Sequence, residues 1–488
     1  MNNTMNIHEQ KGMKCKGLLL VLLTAFIATV LFCTTPSQAH AATVASGDCG
    51  DQGGNVTWTL SDNGTLTISG NGKMDDWNKS PTGSPWEEYD KKIKKVVVED
   101  AVTYIGADSF FWYEKLTSVK IGSSVEKIGN RAFCETNIKT LAIPGSVRAI
   151  GKEAFEGCGK LTSVKIEGNS LISIGNAAFG DCFKLSAINI PDSVESIGDY
   201  AFCCCGLTGP IALVSVKTIG KEAFWSCIYL RSISFGDSLV SIGDAAFYEC
   251  FSLKKIIIPN SVKKIGENAF LYCYSLASVK LGNSVKTLGG GAFFGCENLK
   301  KIDIPNSVTK MGNGVFYGCK KLKKASISDS QKAVSFRSFY GCKSLTSVKL
   351  GKSVNKIESE AFKGCDKLKT ITVGKSVKKI GKNAFPQHQG FKLKVYKGSY
   401  ALKYAKKNNI CYLLVAKVKF NANKGKVSKK SKVVTVCKKY GSLPKPTREG
   451  YTFKGWYTQK KGGDRITSGT VVYKSKTHTL YARWEKKR

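Results

Sequence analysis

The feature that most constrains the fold is a phenylalanine, usually preceded by a small residue, that returns every 22, 23 or 24 residues. The stretch from Ile242 to Cys273 contains the surrounding motif twice. A fixed short period over this length predicts a solenoid, in which each repeat buries its apolar face against its neighbours. The thirteen positions are Phe110, Phe133, Phe155, Phe179, Phe202, Phe224, Phe247, Phe270, Phe293, Phe316, Phe339, Phe362 and Phe385.

Each unit reads I-G-x-x-A-F-x-x-C-x-x-L-x-x-V-x-I-P-x-S-V-x-x. The L-x-x-V-x-I part alternates as a short strand does, and equally spaced strands stack in parallel. About thirteen coils at ~4.8 Å each predict an array roughly 60 Å long. We expect the G-x-x-A-F-x-x-C part to form a short helical turn. Its glycine, as at Gly243 and Gly266, is expected to take a conformation that a side chain would forbid.

A cysteine lies three residues after the phenylalanine in ten consecutive units. A straight column of thiols does not converge on one point, as metal ligands must. In-register Cβ atoms about 4.8 Å apart are also farther apart than the roughly 3.5–4.5 Å that a disulfide prefers. We therefore predict a structural ladder of buried thiols with no metal and no cofactor. Its members are Cys158, Cys182, Cys205, Cys227, Cys250, Cys273, Cys296, Cys319, Cys342 and Cys365.

The unit "IGENAFLYCYSLASVKLGNSVKTLGGGAF" resembles the BspA-type leucine-rich repeat (the LRR_5 class) of bacterial and protozoan surface proteins. The resemblance implies a leucine-rich-repeat array and an adhesive or binding role. The segment "SGDCGDQGGNVTWTLSDNGTLTISGNGKMDDW" resembles the cap that starts such arrays. Its residues predict a hairpin of two strands, 57–60 and 65–69, joined by a turn at Asp62-Asn63-Gly64.

The last part of the chain lacks the A-F-x-x-C motif. Its "LPKPTREGYTFKGWYT" and "TLYARW" are similar to the Listeria–Bacteroides (InlB B-type) repeat, which implies a small β-grasp-like extracellular spacer or weak binding module. Before it, residues 392–415 predict strand, helix (399–407) and strand. The predicted domains are a signal peptide (1–41), an N-terminal β cap (42–91), the repeats (92–391), their C-terminal cap (392–415) and the module (416–488).

The N-terminal segment predicts export. Lys11, Lys14 and Lys16 precede an apolar run, 18–33, and Ala39-His40-Ala41 offers a cleavage site. The run is short for a membrane span, and no second span or wall-sorting signal follows, so the mature chain is expected to have no transmembrane segment. We expect a secreted protein, or one held at the cell surface or cell wall.

The charge is strongly positive. Lys and Arg number 75 against 36 Asp and Glu, a net charge of +39, and residues 417–488 alone hold 21 basic residues against three acidic ones. Such a surface favours polyanions. Export argues against nucleic acid and leaves anionic lipid, acidic glycans or anionic wall polymers such as teichoic acids. A face that is merely solvated remains an alternative.

Motifs for catalysis are absent from the sequence. After the predicted signal peptide only two histidines remain, His388 and His478, in different predicted domains. There is no G-x-S-x-G, no H-E-x-x-H and no phosphate-binding loop. The prediction is that the protein is not an enzyme and has no catalytic, cofactor or metal site.

The leading hypothesis is a non-catalytic adhesion or binding protein whose repeats present an extended face to an extracellular protein or glycan. One alternative is a structural envelope protein held electrostatically on wall polymers, and a further one is a targeting subunit for a separate secreted hydrolase. The candidate partner-binding residues occupy the variable positions of the predicted strands. They are Lys120, Lys165, Lys254, Lys255, Lys280, Lys300, Lys301, Lys323, Lys324, Lys349 and Lys369.

Overall fold

The computed structural model describes residues 41–78, 80 and 83–487. The predicted signal peptide falls outside this part of the chain, apart from its last residue. Within the described residues, no helix combines the length and the apolarity needed to cross a membrane. The chain forms a parallel β-solenoid of about 14 turns with ~23 residues per turn, followed by a module built on a mixed sheet.

Three N-terminal strands start the solenoid: β1 (Thr43–Asp48), β2 (Val56–Ser61) and β3 (Thr65–Gly70). Strands β2 and β3 form the predicted antiparallel hairpin, and β1 pairs with the outer edge of β2. Their side chains alternate between buried and half-exposed positions, so one face of the hairpin covers the core. Strand β3 also pairs in parallel with the first repeat strand, which joins the hairpin directly to the array.

Every coil contributes one strand to a first row, which follows the predicted L-x-x-V-x-I segments. Where neighbouring strands of the row are hydrogen-bonded, they pair in parallel without a shift in register, as Lys255 with Ser278 and Ile256 with Val279, and the row is divided into several short sheets. The row contains β5 (Lys95–Val98), β7 (Ser118–Lys120), β9 (Thr140–Ile143), β11 (Ser163–Ile166), β13 (Ala187–Ile188), β15 (Ile211–Leu213), β17 (Ile233–Phe235), β19 (Lys255–Ile257), β21 (Ser278–Lys280), β23 (Lys301–Asp303), β25 (Lys324–Ser326), β27 (Ser347–Lys349), β29 (Thr370–Thr372) and β31 (Lys392–Tyr396).

A second row, which the sequence did not predict, runs along an adjacent side of the coils. Most of its strands are two residues long, and most end in a buried apolar residue that precedes a glycine. They are β4 (Gly72–Lys73), β6 (Val102–Ile105), β8 (Lys127–Ile128), β10 (Ala149–Ile150), β12 (Ser173–Ile174), β14 (Ser196–Ile197), β16 (Thr218–Ile219), β18 (Ser241–Ile242), β20 (Lys264–Ile265), β22 (Thr287–Leu288), β24 (Lys310–Met311), β26 (Ala333–Val334), β28 (Lys356–Ile357) and β30 (Lys379–Ile380).

The predicted helical turn is wrong. The A-F-x-x-C segments are successive turns whose amides bond to the next coil, as Phe270 N–H does to the Ala292 carbonyl at 2.9 Å. Two residues of a typical coil take left-handed backbone angles, Asn268 (φ 55°) and Tyr272 (φ 58°). The glycine has a different role from the one expected. A Cβ on Gly243 would lie 2.4 Å from the carbonyl oxygen of Gly220, so the close approach of neighbouring coils requires glycine.

The phenylalanines form a single buried stack from Phe110 to Phe385. Adjacent ring centroids are 5.1 Å apart at the closest pair and 6.2 Å at the last. Trp86 extends the stack at its start, 5.4 Å from Phe110, and Phe391 extends it at its end. Trp86 therefore takes the phenylalanine position of a coil that precedes the thirteen found by sequence.

The far end of the array is covered by helix α1 (Tyr400–Lys407). The Ser399 side chain caps its N-terminus by accepting a hydrogen bond from Leu402 N–H at 3.2 Å. Ala401 and Ala405 face the core, and Leu402 is half-buried. The Tyr404 hydroxyl bonds to the Gly381 carbonyl at 3.0 Å, which ties the helix to the last coil.

The C-terminal module consists of β32 (Tyr412–Asn421), β33 (Ser431–Thr435), β34 (Tyr451–Tyr457), β35 (Arg465–Ile466) and β36 (His478–Lys486). Strand β32 begins in the repeat array, beside β31, and continues into the module, beside β33 and β36. It therefore runs across the predicted boundary between residues 415 and 416. The module has its own small core around Trp456, which is separate from the core of the array.

Candidate ligand-binding faces and the thiol ladder

The strand face is the exposed side of the first row of strands, β5 to β31, and of the residue just before each strand. All eleven predicted lysines lie on it and are exposed. They occupy three parallel columns: just before the strand (Lys254, Lys300, Lys323, Lys369), at its first residue (Lys255, Lys301, Lys324) and two residues later (Lys120, Lys165, Lys280, Lys349).

Nine of these lysines, Lys254 to Lys369, lie on six consecutive coils, and we call them the basic cluster. Lys301 and Lys324 are direct neighbours in register. Lys280, Lys300 and Lys301 line an open groove of about 590 Å³ between β21 and β23. Lys301 also forms an ion pair with Asp303 at 2.5 Å, so part of its charge is balanced locally.

Lys120 and Lys165 stand apart from the basic cluster. The three coils between Lys165 and Lys254 carry Ala187, Ala212 and Ser234 at exposed positions of their first-row strands. Lys165 is moreover paired with Glu167 at 3.1 Å. Of the eleven predicted lysines, nine thus form one cluster and two are outliers that lie outside it, while Lys95 and Lys139 occupy the same columns beside Lys120.

The basic character continues from the array into the module. A groove of about 530 Å³ at their junction is lined by Lys349, Lys352, Lys375 and Lys417. A larger groove of about 810 Å³ on the module is lined by Lys417, Lys419, Lys426, Lys430 and by the Tyr481 ring. Because β29, β31, β32 and β36 belong to one sheet, these grooves lie along a continuous row of strands.

The ten thiols of the predicted ladder are all buried. Each Sγ donates to the carbonyl oxygen of a phenylalanine in the preceding coil, at 3.0 Å for Cys205 and 3.3 Å for Cys319. The same bond recurs from Cys158 to Cys365. Burial raises the pKa of the thiols from Cys182 onward, so they are uncharged and unreactive at neutral pH.

A second exposed surface was missed by the sequence reasoning. The turn face consists of the side chains one, two and four residues after each stacked phenylalanine. Along its C-terminal half runs a row of half-exposed rings, with Phe294 and Tyr317 stacked at 4.4 Å and Tyr317 and Tyr340 at 4.7 Å. The row also includes Trp225, Tyr248 and Tyr272. The signal was present in the sequence as aromatics beside the repeat phenylalanines.

The two histidines of the described chain have different environments. The His478 Nε2 lies 2.7 Å from the Tyr440 hydroxyl, inside the module. His388 borders a cavity of about 570 Å³ at the end of the array, whose wall also includes the exposed Cys411. No hydrogen bond joins His388 to Cys411 within the described residues, and neither residue lies in the basic cluster.

Comparison with known proteins agrees with this architecture. The family model "BspA type Leucine rich repeat region" matches residues 88–208, 195–323, 263–392 and 309–430. The "Listeria-Bacteroides repeat domain" model matches residues 417–483.

Similar solved structures are bacterial leucine-rich-repeat proteins. One from Bacteroides ovatus is 26% identical with a TM-score of 0.47, and the alignment covers 73% of this chain and 97% of the other. One from Eubacterium ventriosum is 24% identical with a TM-score of 0.42, covering 66% and 95%. A leucine rich cell surface protein from Faecalibacterium prausnitzii is 26% identical with a TM-score of 0.37, covering 61% and 93%.

Proposed function

Because the chain belongs to the BspA-type leucine-rich repeat family, we propose that it is an exported, non-catalytic binding protein of the bacterial surface. We further propose that its strand face binds an anionic macromolecule, such as an acidic glycan or a wall polymer. The observation that carries this proposal is the basic cluster. Nine exposed lysines on six neighbouring coils converge on one surface beside a groove.

The geometry of the strands brings the lysine charges close enough together to act jointly on a ligand. Parallel strands hold successive side chains about 4.8 Å apart, well within the ~8 Å over which salt screens exposed charges at physiological ionic strength. Their fields therefore add, and a flexible polyanion can contact several lysines at once. Binding of this kind weakens steeply as salt rises. The same charges would repel a basic partner.

The test compares two double variants of the full chain that remove equal charge. Lys301→Gln with Lys324→Gln removes the two in-register neighbours of the basic cluster. Lys120→Gln with Lys165→Gln removes the two outliers. Binding is measured by pull-down on purified Gram-positive walls, with and without teichoic acid, and on an acidic polysaccharide resin, at low and high salt.

We expect the cluster variant to lose most of its low-salt binding to at least one of these anionic surfaces, and the outlier variant to keep most of it. Equal losses in both variants would show that net charge alone acts, without a defined face. Wild-type binding that is absent, or that persists at high salt, would contradict the proposal.

A second candidate is that the C-terminal module forms the contact with the wall. It is favoured by the module groove and its lysines, Lys417, Lys419, Lys426 and Lys430. Lys426→Gln with Lys430→Gln is the matched variant. If this change abolishes wall binding while Lys301→Gln with Lys324→Gln does not, the module is the tether and the strand face is left for another ligand.

A further inference from the structure

The turn face carries an unusual group of side chains near its middle, where the sequence reads "CCCGLTG". Only Cys205 of the three cysteines belongs to the buried ladder. Cys203 is 7% exposed and Cys204 is half-exposed, and both lie on the outer side of the coil. Asp181 lies beside them on the preceding coil, because its N–H bonds to the Cys203 carbonyl at 2.9 Å.

These side chains point toward one another. The Sγ atoms of Cys203 and Cys204 are 3.4 Å apart. One carboxylate oxygen of Asp181 and both sulfur atoms all lie within 4.8 Å of one another. Two sulfurs bound to one tetrahedral Zn²⁺ at ~2.3 Å would be about 3.8 Å apart, so only small side-chain rotations separate this arrangement from a coordinating one.

The surrounding charge favours a cation. The Glu135 side chain extends over Gly157 toward Asp181. A Cβ added to Gly157 would lie 2.4 Å from the Glu135 carboxyl carbon. Burial and the charge of Asp181 raise the pKa of Glu135. Burial and the charges of Glu153 and Asp181 likewise raise the pKa of Glu156. Carboxylates gathered beside the thiols would favour a bound divalent ion, while Lys152, which pairs with Glu153 at 2.9 Å, balances part of their charge.

We propose that Asp181, Cys203 and Cys204 form a binding site for Zn²⁺, with water in the fourth position. Thiolate and carboxylate ligands suit this ion, and a position left to water is compatible with its tetrahedral preference. Binding forms two Zn–S bonds and one Zn–O bond, and the two thiol protons are released to solvent.

The site would join two coils where the repeat is least regular. Asp181 belongs to the coil of Phe179, and the two cysteines belong to the coil of Phe202. An ion bound by the folded chain shifts the unfolding equilibrium toward that state by mass action. The site does not depend on the proposed function, because it lies on the turn face and shares no residue with the basic cluster.

The test uses the full chain, reduced and freed of metal by chelation, and titrates it with Co²⁺ as a spectroscopic substitute for Zn²⁺. We expect one Co²⁺ per chain with an intense near-ultraviolet thiolate-to-cobalt absorption and visible bands of tetrahedral type. Zn²⁺ should displace the bound Co²⁺ and remove these bands, and Zn²⁺ added directly to the metal-free chain should release two protons. Cys203→Ser with Cys204→Ser should abolish these bands. The matched control, Cys411→Ser with Cys437→Ser, removes the two exposed thiols and should leave them unchanged.

Asp181→Asn keeps the proposal testable if the double cysteine variant does not fold. Asp181 has a φ of 56°, a conformation that asparagine tolerates, so this variant should fold. We expect it to weaken Co²⁺ binding at least about tenfold, because even the loss of a group that only orients a ligand costs about that much. Absence of binding by the wild type, or undiminished binding by Cys203→Ser with Cys204→Ser, would overturn the proposal. So would a Cys203–Cys204 disulfide that re-forms in air and is not prevented by Zn²⁺.

Discussion

The strand face and the turn face belong to the same coils, yet the sequence predicts the strand face and does not predict the turn face. Within a first-row strand such as β19, side chains alternate in and out with a period of two, so the exposed first and third residues follow from the buried Ile between them, whereas the lysine just before the strand lies outside this alternation. On the turn face, left-handed residues such as Asn268 and Tyr272 break any simple period. A regular backbone therefore makes a surface predictable, whereas an equally repetitive but irregular backbone does not.

The two faces also differ in chemistry. The strand face concentrates lysine, whereas the turn face carries thiols and carboxylates around Asp181 and a row of stacked rings beyond Trp225. Both faces cover the same interior of stacked phenylalanines and thiols. The outer surface can thus vary from coil to coil while the interior keeps one register.

The largest expected effect is a loss of folding stability at alkaline pH, caused by the buried thiols. It comes from the interior of the array and not from either exposed face. Burial holds the pKa of these thiols, such as Cys250, well above the ordinary value of 9.0. As pH rises through 9, thiols of the unfolded chain lose protons while the folded ones keep theirs. Stability is therefore full below this pH and falls above it, by up to about 1.4 kcal/mol per pH unit for each thiol.

Urea denaturation between pH 7 and 10.5 measures this slope. Buried tyrosines such as Tyr113 act in the same direction, so the matched comparison is essential. Cys250→Ala with Cys273→Ala should reduce the slope, whereas Cys411→Ser with Cys437→Ser, at exposed positions, should not. Identical slopes in all three proteins would show that the thiols do not govern the alkaline limit.

The next largest effect is the difference in stability lost when two aromatic residues, adjacent in sequence, are replaced by alanine. The Phe247 ring is fully buried between Phe224 and Phe270, whereas Tyr248 lies half-exposed on the turn face. We expect Phe247→Ala to lower the free energy of unfolding by about 3–5 kcal/mol. Tyr248→Ala should lower it by only about 1 kcal/mol.

Because repeat arrays can unfold in segments, hydrogen exchange of the flanking coils should accompany the denaturation curve. Similar losses in the two variants would mean that the turn face is as tightly packed as the interior.

Much of the fold was predictable because it depends on burial alone. The period, the parallel first-row strands, the N-terminal hairpin and the C-terminal helix follow from residues whose spacing repeats or whose turn chemistry is local. Trp86 was missed because tryptophan replaces the repeated phenylalanine. The second row was missed because two-residue strands carry too little alternation to be recognised. Cys203 and Asp181 are 22 residues apart in sequence, and only the stacking of coils brings their side chains together.

A smaller effect tests whether the aromatic row of the turn face is a packed surface. The rings of Phe294 and Tyr317 are stacked and nearly parallel, with an interplanar angle of 3°. A double-mutant cycle on Phe294→Ala and Tyr317→Ala should give a coupling energy of about 0.5–1.5 kcal/mol. Trp112 and Phe183, which are exposed and lie three coils apart, serve as an uncoupled control pair. A coupling near zero for the first pair would leave its rings free to stack on a ligand.

The smallest effect concerns the strand face and bears on why its lysines are there. Lys301 and Lys324 lie side by side, and like charges directly opposite one another on a sheet are destabilising. Lys324→Gln should therefore raise the free energy of unfolding by a few tenths of a kcal/mol at low salt, and by less at high salt. Lys165→Gln, which breaks the ion pair with Glu167, should not raise it.

If Lys324→Gln stabilises the chain while weakening polyanion binding, the lysine serves binding at a cost to stability. If it destabilises the chain instead, the cluster is better explained as a solvated surface that supports the sheet.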